Sequence, residues 1–458
     1  MSDLVSTEIS TLVARMREAP AVAEAWDVAL NLSEAAMQAL VSSRWNAKPT
    51  LTKEERALVW LAPAQVGGQH DILKIVTDLA LPSTTLDTSA QTVKLGFTID
   101  SGQMQTGKVP TETVARANGN PLLIRSEEVE WSKPVEISDN NPLYLNGQWP
   151  IEIHQADDNL TFSIELNLTA GKMALTSPIS GGIDSQVAEQ AVQSWLSNQH
   201  LSGQLMTFSR KPGAAATTLT ATKIKARLAN ALDGQPVLQI VLGSAPETSD
   251  TIENSPVYHP AGYDFSAQVS SRATMSIIAS AYNQGTGKIK LVSAPPNDGQ
   301  LHWFTQVHQP MVFSGTFSNP NGTVYLTDQS NLFMCFGGSA DQGLRLFTHI
   351  DPSSTVHLQL DLAAHYPTII SGTGADQCVC LSEGAQSVTG DGFYENIVRP
   401  QLEKFLTGDI KSDMTRVRLS AVSDLLLREL SVSGHALTFE VSALPAELLI
   451  AGNLTPIL

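Results

Sequence analysis

The stretch WDVALNLSEAAMQALVSSRW, Trp26 to Trp45, changes its periodicity halfway. Val28, Leu30 and Leu32 alternate with Asp27, Ala29 and Asn31, the pattern of a half-buried strand. Ser33 then suits an N-cap, its hydroxyl accepting from a free N–H of the first helical turn. Ala35, Ala36, Met37, Ala39, Leu40 and Val41 follow at helical spacing. The same grammar returns in YDFSAQVSSRATMSIIASAY, Tyr263 to Tyr282. Without gaps the two stretches share Asp27/Asp264, Ser33/Ser270, Ala36/Ala273 and Ser43/Ser280, and each begins and ends on an aromatic residue. In the second copy Phe265, Ala267 and Val269 alternate before Ser270, and Ala273, Ile277 and Ile278 continue on a helical face.

Other pairs keep the same order. DSQVAEQAVQSWLSNQ, with Ala188, Ala191, Val192 and Trp195 on one stripe, matches GFYENIVRPQLEKFL, with Ile397, Val398, Leu402 and Phe405. Pro400 is expected to kink or restart the second of these helices, because it has no N–H to donate. TKIKARL (222–228) then matches TRVRLSA (415–421), and PVLQIVLGSAP matches HALTFEVSALP, each running to a proline. Between the helices, TVKLGFTID, LTFSIELNLTAG, TVYLTDQ and TVHLQLDLAAHYP alternate strictly and end at turn residues, as antiparallel strands do. Each half thus reads as a helix, a meandering sheet and a second helix. The proline-rich, acidic segment from Gly243 to Gly262 reads as a linker, which divides the chain into 1–245, 246–262 and 263–458.

Composition narrows the function. A 458-residue chain exceeds one ordinary core, which favours two domains. A net charge of −17 opposes generic nucleic-acid binding, since a duplex needs a basic face to displace its counterions. The first twenty residues carry Asp3, Glu8 and Arg15 and no uninterrupted apolar run, so they do not read as a secretory signal. The apolar runs are too short to span a bilayer. A cytoplasmic protein as synthesised, released by a non-classical route, is the expectation. Cys335, Cys378 and Cys380 read as reduced thiols, with no second pair to complete a zinc site. His302 and His308, like His357 and His365, lack metal-ligand spacing, and no metal or cofactor is expected.

An antiparallel sheet with one apolar face must cover it. Curled around a helix lined with small residues, it can leave an apolar slot, where an acyl chain gains about 0.8 kcal/mol per buried methylene. The aromatic–Asp opening, the alternating strand and the Ser-capped helix resemble the start of each half in the tubular lipid-binding (TULIP) superfamily. The OrfX-type proteins encoded beside botulinum neurotoxins and in insecticidal toxin clusters are especially similar. APAQVGGQHDILKIVTDLALP, Ala62 to Pro82, is similar to their next region, with paired glycines before a strand ending in Pro. The chain departs from them in carrying Gln38 and Ser276 where Asn is frequent. The resemblance implies an α+β fold of two duplicated TULIP-like domains, each a highly curved antiparallel sheet wrapped around a long helix. It also implies non-enzymatic binding of lipid or another apolar ligand and association with bacterial toxin-cluster proteins.

On this reading Met37, Leu40, Val41, Ile277 and Ile278 are the candidate ligand-facing helix residues, joined by Trp195 and Phe405 from the closing helices. From Gln190 to Leu232 there is no acidic residue, and Arg210 and Lys211 in FSRKPG are candidates for a headgroup at a membrane surface. Asp27 and Asp264 are expected to bind turn amides, and Trp131 and Trp149 to rim an opening. Two rivals remain. Packed tubes would make the protein a scaffold for protein partners. Ser180 to Ser185, SGGIDS, matches the S-G-G-x-D-S loop of ATP pyrophosphatases. That loop should close a parallel strand, whereas Pro178 interrupts the preceding segment and its neighbours alternate as antiparallel strands do.

Overall fold

The computed structural model describes residues 9–16, 26–46, 57–61, 68–77, 81–99, 101–138, 143–156, 161–167, 170–176, 203–209, 219, 221–243, 252, 256–284, 289–293, 301–307, 311–316, 321–326, 331–338, 343–351, 358–392, 395–444 and 447–457. Its centre is a thirteen-stranded antiparallel sheet. In chain order its strands are β1 (Val28–Ser33), β2 (Ser83–Asp87), β3 (Thr92–Ile99), β4 (Leu143–Gln155), β5 (Thr161–Leu166), β6 (Lys172–Thr176) and β7 (Gln204–Ser209). They continue as β8 (Lys223–Asn230), β9 (Pro236–Gly243), β10 (Phe265–Val269), β11 (Leu430–Val432), β12 (His435–Ala443) and β13 (Leu448–Pro456). The spatial order is β8-β9-β1-β10-β13-β12-β11-β7-β5-β4-β3-β2, with β6 also on β4.

The two quoted stretches meet at the middle of this sheet. β1 pairs with β10, and Leu30 faces Ala267, the residue that aligns with it. Val28 faces Val269 and Leu32 faces Phe265, so the pairing is reciprocal about that point. Ser33 N–H donates to the Asp264 carbonyl (2.9 Å), and Ser270 N–H donates to the Asp27 carbonyl (2.8 Å). The hairpin β8–β9 flanks β1 and the hairpin β12–β13 flanks β10, so three strands read alike outward in both directions. HALTFEVSALP is β12 and therefore stands opposite β8, not opposite PVLQIVLGSAP. TRVRLSA forms no matching strand: it is a turn with one bridge, Arg418 to Cys380, leading into the short helix Ser420–Ser423. The sequence pairing stopped at Pro445 and so missed the last strand.

Each central strand feeds a thirteen-residue helix, α1 (Glu34–Asn46) after β1 and α2 (Ser271–Asn283) after β10. Both serine caps form. Ser33 Oγ accepts from Ala36 N–H (3.1 Å), and Ser270 Oγ accepts from Ala273 N–H (3.2 Å). The helix from Glu395 to Lys404 passes through Pro400 and continues as a π-helical segment, Phe405–Ile410. A seven-stranded antiparallel sheet in the second half runs from Ile289–Ser293 to Cys378–Leu381. A five-stranded sheet in the first half includes Ala57–Leu61 and Gln69–Val76.

The central strands are buried on both faces, not one. Inward, Val28, Leu30 and Leu32 join the main apolar core. Outward, Trp26 and Ala29 pack with Val241 and Ile252, and Leu12 and Met16 pack with Tyr258 and Leu449. The cover is a helix over residues 9–16 together with Ile252 and 256–260, part of the expected linker. Asn31 and Ser266 are buried beneath it because the Asn31 amide donates to Ser266 Oγ (3.1 Å).

Candidate functional site

The apolar face of α1, formed by Ala36, Met37, Leu40, Val41 and Trp45, is buried in the main apolar cluster, with the helix lying along β1, β2, β7 and β9. Trp45 meets Phe97 of β3 with ring centroids 5.3 Å apart. The face of α2, with Ala273, Ile277, Ile278, Ala279 and Tyr282, is buried with Leu291, Tyr366, Val379, Leu381, Phe405 and Met414. Met37, Leu40, Val41, Ile277, Ile278 and Phe405 thus all lie in one apolar cluster that runs continuously through both halves. Trp195, Arg210, Lys211 and the Ser180–Ser185 loop lie outside the described residues.

Side-chain carboxamides close the edges of these sheets. A strand edge presents free N–H and C=O groups, which another strand normally satisfies. Gln91, in the β2–β3 turn, instead donates Nε2–H to the Leu228 carbonyl of edge strand β8 (2.7 Å) and accepts Leu228 N–H at Oε1 (2.9 Å). Gln38 of α1 does the same along β2, donating to the Pro82 carbonyl (3.0 Å) and accepting from Thr84 N–H (2.7 Å). Glu34, one turn earlier, accepts from Leu86 N–H (2.9 Å).

The second half repeats the device. Asn283 of α2 holds the backbone of Leu291 on both sides, at 2.7 and 2.9 Å. Gln377 holds the backbone of Phe439 in β12, beyond the Val432–His435 pair that joins β12 to β11, at 2.9 and 2.8 Å. Each half therefore has one clamp from its helix and one from a loop or strand end. Gln38, a departure from the resembled family, has a definite role. A clamp leaves no local sequence signal, because the partner of Gln91 lies 137 positions away.

Asp87 supports the first clamp. Lys94 Nζ sits 2.7 Å from it, and Ser89 Oγ–H and the N–H groups of Ser89 and Ala90 donate to it, which fixes the turn that presents Gln91. Lys94 first, then these donors, hold the Asp87 carboxyl well below the usual carboxylate range.

The two repeated aspartates divide their work. Asp264 accepts a strand amide, Leu454 N–H (2.8 Å), close to expectation. Asp27, buried, accepts from the Arg272 guanidinium of α2 (2.7 Å), so a cation bridges the halves. Trp149 does not rim an opening. It lies inside strand β4, wholly buried, its indole over Gly147 and Gly171, where a methyl group would collide with the ring. Its N–H and the Tyr366 hydroxyl are buried without a hydrogen-bond partner.

Among the described residues, a crevice with only about 10 Å³ of free space opens beside Asp27, Val28, Leu219 and Leu425. It is smaller than the roughly 300–1,000 Å³ of a typical ligand pocket. No three metal-ligating side chains gather among the described residues, and no helix there is long and apolar enough to cross a membrane. Cys378 and Cys380 are buried free thiols, and burial pushes Cys380 up to about 11.

No protein-family model matches the chain, and no curated protein matches it. Solved structures do. P47 of Clostridium botulinum E1 superposes with a TM-score of 0.55 at 8% identity, over 94% of this chain and 99% of the other. P47 from Clostridium botulinum A2 gives 0.53 at 9% identity, over 94% and 97%. The fold is that of P47. The OrfX-type, TULIP-like architecture read from the sequence therefore holds for the backbone of nearly the whole chain. A lipopolysaccharide binding protein aligns over 94% of this chain and 99% of its own at 10% identity, but its TM-score of 0.33 is too low to carry weight.

Proposed function

We propose that this protein is a non-enzymatic binder of lipid or another apolar ligand, held between each helix and its curled sheet. The observation that carries this is the closure of the strand edges by side-chain amides around a continuous apolar interior. A backbone ladder opens only by breaking a row of cooperative bonds, whereas a carboxamide clamp releases with two. An apolar chain can therefore enter by parting a clamp, without unfolding the sheet. Met37, Leu40 and Val41 would face it in one half, and Ile277, Ile278 and Phe405 in the other, with Trp195 completing the first. Arg210 and Lys211 would meet headgroups during peripheral membrane contact. The reciprocal β1–β10 pairing supports internal duplication, with 1–245 and 263–458 as the two units. The resemblance of the two strand–helix stretches to OrfX-type proteins makes toxin-cluster proteins the partners to test.

Delipidated protein challenged with a panel of labelled lipids tests the proposal, with mass spectrometry of small molecules that co-purify. Uptake above an albumin-subtracted background is expected. None, with no co-purifying lipid, would sink it. The second reading, a protein scaffold with packed tubes, is favoured by the complete burial of Met37, Leu40 and Ile278 among protein side chains. Capture of toxin-cluster proteins without lipid uptake would select it.

A further inference from the structure

Val379 and Leu381 join the main apolar cluster, so alternation sends Cys378 and Cys380 to the opposite face of the strand Cys378–Leu381. There the two thiols lean towards each other along the strand. Cys378 Sγ–H reaches forward to the Val379 carbonyl (3.4 Å), and Cys380 Sγ–H reaches back to the Cys378 carbonyl (3.7 Å). Both thiols are free and lie at 8% and 7% exposure. They sit just beneath the surface, because Ile369, directly across from Cys380 in the strand Leu358–Ser371, is 46% exposed. On the other side Cys380 pairs with the exposed Arg418, whose side chain therefore shares the face of the thiols and whose charge acts on Cys380.

Strand geometry rules out one use of this pair and permits another. Residues two apart on a strand are separated by about 6.6 Å, whereas a disulfide draws its Cβ atoms to about 3.8 Å. An ion held in line between two thiolates needs sulfurs only about 4.6 Å apart, twice a metal–sulfur bond of about 2.3 Å. Thiols that converge from strand spacing can meet that separation without bending the backbone. Zinc would ask for four ligands, and no three gather among the described residues. Soft thiolates favour monovalent copper instead. We propose that Cys378 and Cys380 form a two-coordinate site for a soft monovalent cation, copper(I). Binding exchanges two S–H protons for one Cu⁺, leaving a bis-thiolate of net charge −1 with no change of oxidation state. The guanidinium of Arg418 offsets that charge. Burial first, and then the Cys378 thiol beside it, push Cys380 up to about 11, so affinity should rise with pH. The site faces away from the apolar interior and does not depend on the ligand reading above.

The test uses the reduced full chain without oxygen, with copper(I) supplied as its coloured bicinchoninate complex. One equivalent should pass to the wild-type protein, and X-ray absorption should show two sulfur neighbours and no others. Cys378→Ser and Cys380→Ser should each bind about a hundredfold more weakly or worse, because a chelate then loses its second arm. Cys335→Ser should match wild type. Arg418→Glu should weaken binding, and most at low salt. The wild-type absorption spectrum decides however the variants fold: a third ligand, or a nitrogen or oxygen neighbour, would overturn the site. Undiminished binding by either of the two serine variants would overturn it as well, as would no transfer of copper to wild type.

Discussion

The side-chain amide of Gln91 completes both hydrogen bonds of the Leu228 backbone, joining the β2–β3 turn to the far edge of the same sheet. Gln91 adopts φ +55°, which few non-glycine residues accept, so its backbone is strained to deliver the clamp. Gln91→Glu keeps the acceptor for Leu228 N–H but sets a carboxylate against the Leu228 carbonyl. A loss of about 1–2 kcal/mol is expected, with faster amide exchange at Leu228 and none at Phe439. Unchanged exchange at Leu228 would show that the clamp does not hold the edge.

Arg272→Ala leaves the Asp27 carboxylate, at 6% exposure, without the guanidinium 2.7 Å away. Because Arg272 itself is 44% exposed, the expected cost is moderate, about 1–3 kcal/mol. Arg272→Lys should recover only part of it, since an ammonium lacks the planar fork. Urea denaturation of the three proteins checks the order. Equal midpoints would mean that the bridge contributes nothing.

His259 gives a pH dependence. Its Nε2 lies 3.1 Å from the Tyr263 carbonyl and its Nδ1 3.1 Å from Ser266 Oγ, beneath the cover of the central strands. Burial lowers its pKa below 6.5, against the opposing pull of the Tyr263 carbonyl, Asp233 and Asp264. The unfolded chain therefore takes up this proton first as pH falls. Stability is fully present above about 6.5 and declines below it until the folded ring also titrates. Melting temperature should fall between pH 7.5 and 5.5 in wild type, and less steeply in His259→Gln. Parallel profiles would rule His259 out.

Gly147→Ala puts a methyl group into the indole of Trp149. The ring must move off the wall of β4, at a cost of about 1–3 kcal/mol. Tryptophan emission should shift to the red relative to wild type. Gly171→Ala, on the adjoining β6 side, should give the same shift, because the ring lies over both glycines. An unshifted spectrum in both variants would contradict the packing described.

What was legible in the chain was local. Ser33 and Ser270 cap as their position before an apolar helix requires, and TVKLGFTID and LTFSIELNLTAG form strands where alternation places them. The outer face of β1 misled, because Asp27, Ala29 and Asn31 resemble a solvated row. Their burial depends on partners more than two hundred positions away, Arg272 and Ser266. The cover itself had a readable signal: Ile9, Leu12, Val13 and Met16 are spaced as one helical face. Trp149 was misplaced because nearby turn residues suggested an end, whereas the strand runs unbroken from Leu143 to Gln155. The clamps had no readable signal. Glutamine is common on surfaces, and only the curvature of the sheet brings Gln91 to Leu228.

The register centred on Leu30 and Ala267 has a further meaning. A lone first half would expose Val28–Ser33 as a raw edge, and another copy of itself could supply the missing neighbour in the same antiparallel alignment. Expressed separately, residues 1–245 should therefore form a twofold dimer. The present chain would then be the fused descendant of such a pair, its two halves free to diverge.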